Sequence, residues 1–441
     1  MSVAPVRRLP VRPDADQLRR QAKELLRAFR DGDPAALAEW HHHHPDARLD
    51  SAPHTDARLA NARLANARLA DAQLVLARSY QASSWTRLMQ SVQLADAIWR
   101  DDLDEVRRLI TAHRALRDEQ VLIRRDSNWG PPMTYAANLG RDAIIRWLHA
   151  HGATDVESAA GRAALQGKVQ TARMLYDMAG RPPIDDDALG GPAYTLSAEG
   201  TALLLSLGAR AVDESGARLA PVAVVLETDG RNPEAKHAIL AMYEQHGLVY
   251  PDTPTMALHR GRIDLLEAHI ARDPLLLTRT FTHREIYPTS MGCREPLDAT
   301  VGTPVGGSTL LHLCVDYDEL EIARWLIAQG ASVNAPSRVG ASGFGGHTPL
   351  FNTVVSQPNF WMNYGKRGPF TAPFTELLLG QGANPNVRAS LWKRLHPGHG
   401  DPARHDYRDV TPLSWGRRFH APIFVSEPAM QRIRDAGGET Q

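Results

Sequence analysis

The stretch STLLHLCVDYDELEIARWLIAQGASVNAPS, residues 308–337, decides the fold of this chain. Apolar residues recur at helical spacing twice within it, first over 310–314 and again over 320–327. Thr309 stands where a side chain accepts a hydrogen bond from the first turn of a helix, and Gly330 suits the left-handed turn that ends one. Neither helix is long enough to be stable alone in water, so we expect each to pack against a neighbour.

The same pattern recurs in three other places along the chain. Residues 131–153 end in Gly-Ala like the first stretch, and residues 348–383 and 411–437 both open with Thr-Pro-Leu. Proline is tolerated at the first position of a helix because the missing N–H has no partner there. A helix–turn–helix unit of roughly 33 residues with a Thr-Pro-Leu-His opening is typical of ankyrin repeats.

The chain therefore resembles an ankyrin-repeat protein, of the bacterial type in which a helical extension precedes the repeats. The resemblance covers residues 98–438 and, as a degenerate ankyrin-like hairpin, residues 14–45. It implies an all-α fold, a solenoid of stacked helix–turn–helix units in which each unit buries its apolar side against the next. It brings no catalytic residues with it, because the family has none.

Two regions follow from this reading. Residues 1–97 form a helical N-terminal region: a helix over 14–30, a second from Pro34 to Trp40, an Ala/Arg/Leu insert of five-residue repeats over 57–76, and a helix capped by Ser83 or Ser84. We interpret the insert as helix-prone, since four such repeats would give only about one coil of a β-helix. Residues 98–441 form the repeat array, with loop insertions at 279–307, 356–373 and 391–408.

Composition limits the partners. The 50 basic and 50 acidic residues give a formal net charge of 0, which argues against a nucleic-acid binder driven by overall charge. No apolar run approaches the ~20 residues needed to span a bilayer, so we expect no membrane partner. Two cysteines without a CxxC motif favour a reducing compartment, and we predict a cytoplasmic protein. The excess of Arg over Lys hints at a GC-rich bacterial gene.

Histidines raise the question of a metal site. Four consecutive residues on a helix point in four directions, so His41–His44 cannot converge on one ion, and we expect an exposed helix end. His396, His399 and His405 stand near acidic residues in the loop 391–408, but their spacing matches no closed zinc site. At the ankyrin histidine position, His312 is expected to bond between adjacent turns. We predict no metal and no cofactor.

The insertion 356–373 is the feature that most favours a binding role. It carries the aromatic and cationic side chains that anchor protein interfaces: Phe360, Trp361, Tyr364, Lys366 and Arg367. The alternative is that the aromatic rings fold back onto the neighbouring repeat.

We predict a non-catalytic scaffold or adaptor that binds a protein partner through its concave face and loop tips, with no enzyme activity. The alternative is an enzyme or metal site built from the inserted loops. The sequence is silent on the identity of the partner and on the oligomeric state.

Overall fold

The computed structural model describes residues 7–44, 66–124, 126–228, 230–294, 302–355, 371–395 and 400–440. Most of these residues lie in short helices, and consecutive helices pack against each other in pairs. The helices in chain order are α1 (Ala15–Arg30), α2 (Pro34–His43), α3 (Leu69–Ser79), α4 (Trp85–Trp99), α5 (Leu103–Ala112), α6 (Pro132–Leu139), α7 (Asp142–Ala150), α8 (Val156–Leu165), α9 (Val169–Met178), α10 (Gly190–Thr195), α11 (Ala198–Ser206), α12 (Val222–Glu227), α13 (Pro233–Gln245), α14 (Pro254–His259), α15 (Ile263–Arg272), α16 (His283–Ile286), α17 (Leu310–Tyr317), α18 (Leu320–Ala328), α19 (Pro349–Val354), α20 (Pro373–Gly380), α21 (Pro412–Arg418) and α22 (Glu427–Asp435).

The chain divides into two compact units. The first comprises residues 1–163 and 168–182, and the second comprises residues 164–167 and 183–441. The architecture is the all-α repeat solenoid expected from the sequence. Among the described residues the named strands are β1 (Ala389–Lys393) and β2 (His405–Val410).

The pair α17–α18 shows how a repeat is built. All eight side chains of α17 are buried, whereas α18 buries only Ile322, Ala323 and Leu326 and presents its other face to solvent. The first helix of the pair is therefore enclosed by its neighbours, and the second covers the outside. Gly330 ends the pair with φ +100°, a backbone conformation that glycine adopts without steric cost.

Helices α1 and α2 lie where the sequence predicts them, but α2 extends further than predicted. Asp14 caps α1 by accepting a hydrogen bond from the Gln17 N–H at 2.7 Å, and α2 begins at Pro34 as expected. However, α2 continues to His43 instead of ending at Trp40. The expectation of an exposed histidine run is wrong for His43, which is buried because α3 packs against α2.

The insert 57–76 lies partly outside the described residues. Residues 57–65 lie outside the described residues, and residues 69–76 belong to α3. The helix predicted after it is present as α4, and Ser84 caps it by accepting from the Arg87 N–H at 3.1 Å.

The interpretation of 391–408 as a loop is wrong for residues 391–393 and 405–408, which lie in strands, and residues 396–399 lie outside the described residues. β1 and β2 pair antiparallel, with Leu391 opposite Tyr407 and Lys393 opposite His405. Side chains of β1 alternate between buried and half-buried, which is the period of a strand with one face inward. The hairpin therefore extends the repeat ending at α20. The earlier loop, 279–307, contains α16 and a 3₁₀ turn at Thr289–Met291, while residues 295–301 lie outside the described residues.

Two asparagines join successive repeats through the backbone. The Asn334 amide donates to the carbonyl of Gly382 at 2.9 Å and accepts from the N–H of Asn384 at 2.7 Å. One repeat later, Asn386 donates to Gly437 at 3.0 Å and accepts from Glu439 at 2.7 Å. Each amide thus uses its donor and its acceptor on the turn that ends the following repeat.

Candidate functional site

A histidine network links the repeat of α17 to the next one. The Thr309 N–H and hydroxyl donate to Nδ1 of His312 (3.3 and 2.9 Å), and the Nε2–H of His312 donates to the carbonyl of His347 (3.0 Å). His347 extends this hydrogen-bond network. Its Nδ1 accepts from the Ser337 hydroxyl at 2.8 Å, and its Nε2–H donates to the Pro304 carbonyl at 3.0 Å. The prediction of a structural role for His312 between adjacent turns is confirmed.

Both histidines are neutral in the folded protein. Burial lowers the pKa of His312 to about 4 and that of His347 to about 3. In each ring one nitrogen accepts and the other donates, which is the pattern of a neutral imidazole. The network is therefore a set of satisfied hydrogen bonds with a structural role.

A cluster of buried charges lies at the turn between α17 and α18. Arg231 Nη2 is 3.0 Å from Asp316 Oδ2, and Lys236 Nζ is 2.9 Å from Glu319 Oε1. The exposed fractions of these four side chains are all 6% or less. His237 adds a third contact, with Nε2 at 2.8 Å from the same Glu319 oxygen.

The cations of this cluster also contact an aromatic ring. Arg231 Cζ lies 4.9 Å and Lys236 Nζ lies 4.6 Å from the ring centroid of Tyr317, both within the range of a cation–π contact. Burial opposes the charge on Glu319, but the attraction of Lys236 and the hydrogen bond from His237 outweigh it and lower the pKa of Glu319. The cluster is therefore charged and internally balanced.

The finger surface is a second candidate, and we define it as residues 337–347 together with β1 and β2. Gly345 exchanges two backbone hydrogen bonds with Ser390 (N···O 2.6 and 3.2 Å), so the segment before α19 lies beside β1 like a further strand. Behind it, the hydroxyl of Tyr407 is 2.6 Å from Nδ1 of His420, which ties β2 to the end of α21. The repeats thus hold this surface on a backbone framework.

Two arginines stack on the aromatic side chains of the finger surface. Arg404 Cζ, from the turn before β2, lies 4.8 Å from the Trp392 ring and 5.1 Å from the Phe344 ring. Arg408 Cζ lies 4.4 Å from the Phe344 ring. Phe344 is buried, whereas the side chains of Arg404 and Arg408 are 44% and 61% exposed. These contacts restrain the guanidinium groups, which stay exposed to solvent, and Arg404 Nε also donates to Asp406 Oδ1 at 2.7 Å.

The segment around the hairpin carries an excess of positive charge. Residues 388–395 and 400–418 hold three acidic side chains, Asp401, Asp406 and Asp409, against seven basic ones. The basic residues are Arg388, Lys393, Arg394, Arg404, Arg408, Arg417 and Arg418. Each of the three aspartates contacts a basic side chain or a histidine at 2.7–2.9 Å. The surplus is therefore cationic.

Most of the site residues predicted from the sequence lie outside the described residues. Phe360, Trp361, Tyr364, Lys366 and Arg367 all lie outside the described residues, as do His396 and His399. His405 is described, and its Nε2 lies 2.9 Å from Asp401. Among the described residues, no group of three or more His, Cys, Asp or Glu is placed to hold a metal ion.

Sequence reasoning missed the charged cluster and the stacked arginines. The cluster joins residues more than 80 positions apart, for example Arg231 and Asp316. No local sequence pattern indicates such a pair. For the finger surface a signal was present. In β1, Ala389, Leu391 and Lys393 are buried at the two-residue period of a strand, whereas β2 buries Tyr407 and Val410 and shows no such alternation, so the signal was confined to one strand.

Comparison with known proteins gave a family-model match and a match to a solved structure. The family model of the ankyrin repeat matches residues 306–338. The chain is also similar to the crystal structure of the human ASB11 ankyrin repeat domain, with 16% identity, over 70% of this chain and 99% of that one, at a TM-score of 0.26. No curated protein sequence matches the chain.

Short stacked helix pairs and a Thr–His network between neighbouring repeats define a class of repeat protein. The match over residues 306–338 identifies this part of the chain as an ankyrin repeat. Within the described residues no helix has the length and apolar character needed to cross a membrane.

Proposed function

We propose that this protein is a non-catalytic scaffold that binds a protein partner, and that its finger surface takes an acidic segment of that partner. Ankyrin repeats generally mediate protein–protein interaction, which supports a scaffold role. The observation that carries the proposal is the pair Arg404 and Arg408, stacked on Phe344 and Trp392 and still exposed.

The side-chain types favour an interface. Arginine and aromatic residues are enriched among the side chains that dominate binding energy. A guanidinium group pairs with a carboxylate through two parallel hydrogen bonds, which gives direction as well as attraction. Because stacking already restrains Arg404 and Arg408, less conformational freedom is lost when a carboxylate binds to them.

The test replaces both arginines together. Arg404→Ala/Arg408→Ala should weaken binding of a fluorescein-labelled Glu-rich peptide, measured by fluorescence anisotropy, by roughly tenfold or more. The matched control is Arg432→Ala/Arg434→Ala on α22, where the two arginines are also partly exposed, with side-chain exposures of 56% and 35%. This control should bind the peptide like the unaltered protein.

A DNA duplex is the competing probe in the same assay. If the duplex binds more tightly than the peptide at physiological salt, the proposal of an acidic protein segment is wrong. Equal peptide affinity for the finger variant and for the α22 control would also contradict it. Capture from a host lysate, followed by mass spectrometry, then identifies the partner through proteins that the control retains and the finger variant loses.

The insertion residues are proposed as a further set of partner contacts. Phe360, Trp361, Tyr364, Lys366 and Arg367 have the composition of an interface anchor. Phe360→Ala/Trp361→Ala should reduce capture of the same partner without changing the unfolding temperature. A lower unfolding temperature with unchanged capture would instead favour packing of the rings onto the neighbouring repeat.

A cytoplasmic location is part of the proposal. Cys293 and Cys314 are both buried as free thiols, and burial raises the pKa of Cys293 to about 12. Two protected thiols without a disulfide are consistent with a reducing compartment. Microscopy of a fluorescent fusion in the host would test this location.

A further inference from the structure

The charged cluster connects two repeats that are not neighbours in the chain. Arg231 precedes α13 and Lys236 lies in its first half, so both belong to the repeat formed by α12 and α13. Asp316 and Glu319 belong to the repeat formed by α17 and α18. The repeat formed by α14 and α15 stands between these two, and we call it the middle repeat. The cluster therefore joins one repeat to the next but one.

The histidine network and the asparagine contacts, by contrast, join neighbouring repeats. His312 of α17 donates to the carbonyl of His347, directly before α19, and Asn334 donates to the carbonyl of Gly382, directly after α20. In a repeat array each unit ordinarily contacts only its neighbours, so the opening of one unit affects a distant unit only through those in between. The charged cluster provides a contact that bypasses the middle repeat.

The middle repeat leaves room for this contact at the end of its first helix. That helix, α14, has six residues, against eight in α17. It is followed by Gly261 with φ +67°, where a Cβ atom would lie 2.3 Å from the ring of His237. Because glycine has no Cβ, the imidazole of His237 packs against this turn, and its Nε2 lies 2.8 Å from Glu319 Oε1. His237 thus touches the middle repeat and reaches the repeat beyond it.

The middle repeat also contacts both of its neighbours directly. Arg260, which ends α14, has its Nη2 2.5 Å from Glu244 Oε1 on α13. On the other side, the ring of His259 meets the ring of Tyr317 edge-on, with centroids 4.7 Å apart. Each of the three repeats therefore contacts the other two.

The contacts that span the middle repeat are buried and charged. Arg231 donates from Nε to the backbone carbonyl of Asp316 at 2.6 Å and from Nη2 to its carboxylate at 3.0 Å. The side chains of Arg231, Asp316, Lys236 and Glu319 are exposed by 6% or less. Hydrogen bonds between charged groups are stronger and more directional than neutral ones. Separation of the two outer repeats would break these contacts together.

We propose that the charged cluster makes three repeats, namely α12–α13, α14–α15 and α17–α18, open and close as one cooperative block. A repeat at one end of the block then cannot unfold locally without breaking its contacts to the repeat at the other end. The last of the three leads into residues 337–347, so the block also supports the finger surface. The inference does not depend on which partner that surface binds.

Hydrogen–deuterium exchange of the full chain tests this coupling, because the exchange rate of a protected amide reports how often its segment opens. Ile239 in α13 is 0% exposed, and Ile239→Ala should speed amide exchange in α13 by roughly tenfold or more. Amides of α17 should speed up by the same factor, although α17 belongs to the repeat next but one. Mass spectrometry of peptides from α13 and α17 measures both responses.

Removal of the ion pair should uncouple the two helices. In a Lys236→Ala/Glu319→Ala background, Ile239→Ala should still speed exchange in α13, but the response of α17 should fall about threefold or more below that of α13. The matched control is Arg432→Ala/Glu376→Ala, which removes an exposed ion pair of 2.8 Å between α22 and α20. In this control background α13 and α17 should respond equally to Ile239→Ala.

Milder replacements serve if the alanine variants fail to fold. Ile239→Val removes one methyl group and should speed exchange about threefold, and Lys236→Met/Glu319→Gln removes both charges while keeping the shapes of the side chains. The inference is overturned if α17 does not respond to the Ile239 replacement when the ion pair is intact. It is also overturned if α17 still responds as strongly as α13 once the ion pair is gone, because the coupling would then pass through the middle repeat alone.

Discussion

The second unit joins its repeats in two different ways. Around His312, the join consists of neutral hydrogen bonds that run from Thr309 through the ring to the carbonyl of His347. At the other end of α17, the join consists of buried charges, with Asp316 and Glu319 paired to Arg231 and Lys236. Both joins are buried, but one consists of neutral hydrogen bonds and the other of ion pairs.

The difference lies in what happens when one partner is removed. A neutral hydrogen bond contributes on the order of 1 kcal/mol, and its loss leaves one unsatisfied polar group. A buried ion pair is close to neutral for stability as a whole, but loss of one member leaves an uncompensated charge in the interior. The charged join is therefore the more vulnerable one, although it is not the more stabilising.

The largest effect is expected from breaking the charged join. Glu319→Ala should lower the free energy of unfolding by about 3–5 kcal/mol, because Lys236 would be left buried without its carboxylate. Chemical denaturation measures this change. Lys236→Met/Glu319→Leu removes both charges and should recover most of the loss. A loss below about 1 kcal/mol for Glu319→Ala would show that the two joins are equivalent.

The cost of truncating an apolar side chain in the core of α17 is a reference for the losses at the two joins. Leu311 is 1% exposed, and Leu311→Ala should cost about 2–5 kcal/mol through lost burial and the cavity left behind. Leu275, which is 72% exposed, is the matched control, and Leu275→Ala should change stability by no more than about 0.5 kcal/mol. Similar losses for both variants would contradict the burial of α17.

The pH dependence of stability separates the joins. The pKa of His312 falls to about 4 in the folded protein from its ordinary value of 6.5. Its contribution is fully present above pH 6.5 and is lost as the pH falls towards 4, because the unfolded chain takes up the proton first. The loss from His312 over that window should be roughly 3 kcal/mol, and His312→Gln should make the curve less steep there, while His347, whose pKa is also lowered by burial, keeps part of the slope.

The charged join responds at lower pH. The pKa of Glu319 is lowered in the folded protein, so its contribution is present above the ordinary carboxyl value of 4.5 and is lost below it. Urea titrations at a series of pH values should show the His312 loss first and the Glu319 loss second. If His312→Gln leaves the profile between pH 6.5 and 4 unchanged, the neutral join is not the source of that dependence.

The smallest effect is expected at the helix cap of the neutral join. Thr309 is paired with His312 at the start of α17, and Thr309→Ala should lower the free energy of unfolding by about 1 kcal/mol. Thr278, exposed at the end of a 3₁₀ turn, is the control, and its replacement by Ala should have little effect. Equal losses at the two positions would remove the special role of the Thr309 cap.

Local chemistry explains why the repeats could be predicted from the sequence. The starts of α1, α4 and α17 follow from Asp14, Ser84 and Thr309, each of which caps a helix through atoms three residues away. The apolar spacing within α18 places Ile322 and Leu326 on one face of the helix. Such signals lie within one turn of helix and need no knowledge of the rest of the fold.

Features that depend on distant residues could not be predicted in the same way. His43 is buried because α3 arrives beside it from more than 25 positions further along, and nothing near His43 encodes that contact. A cavity of about 180 Å³ in the second unit likewise takes Asp318 from one repeat and Thr375 from another. Phe360 and Trp361 remain a prediction, since they lie outside the described residues.

The two asparagines that join successive repeats have a consequence for the ageing of the purified protein. Asn334 and Asn386 each use one amide donor and one amide oxygen on the turn of the next repeat. Hydrolysis of either amide to a carboxylate would replace the donor with an acceptor that faces the carbonyl of Gly382 or Gly437. Long storage would therefore loosen the C-terminal repeats first, one deamidated side chain at a time.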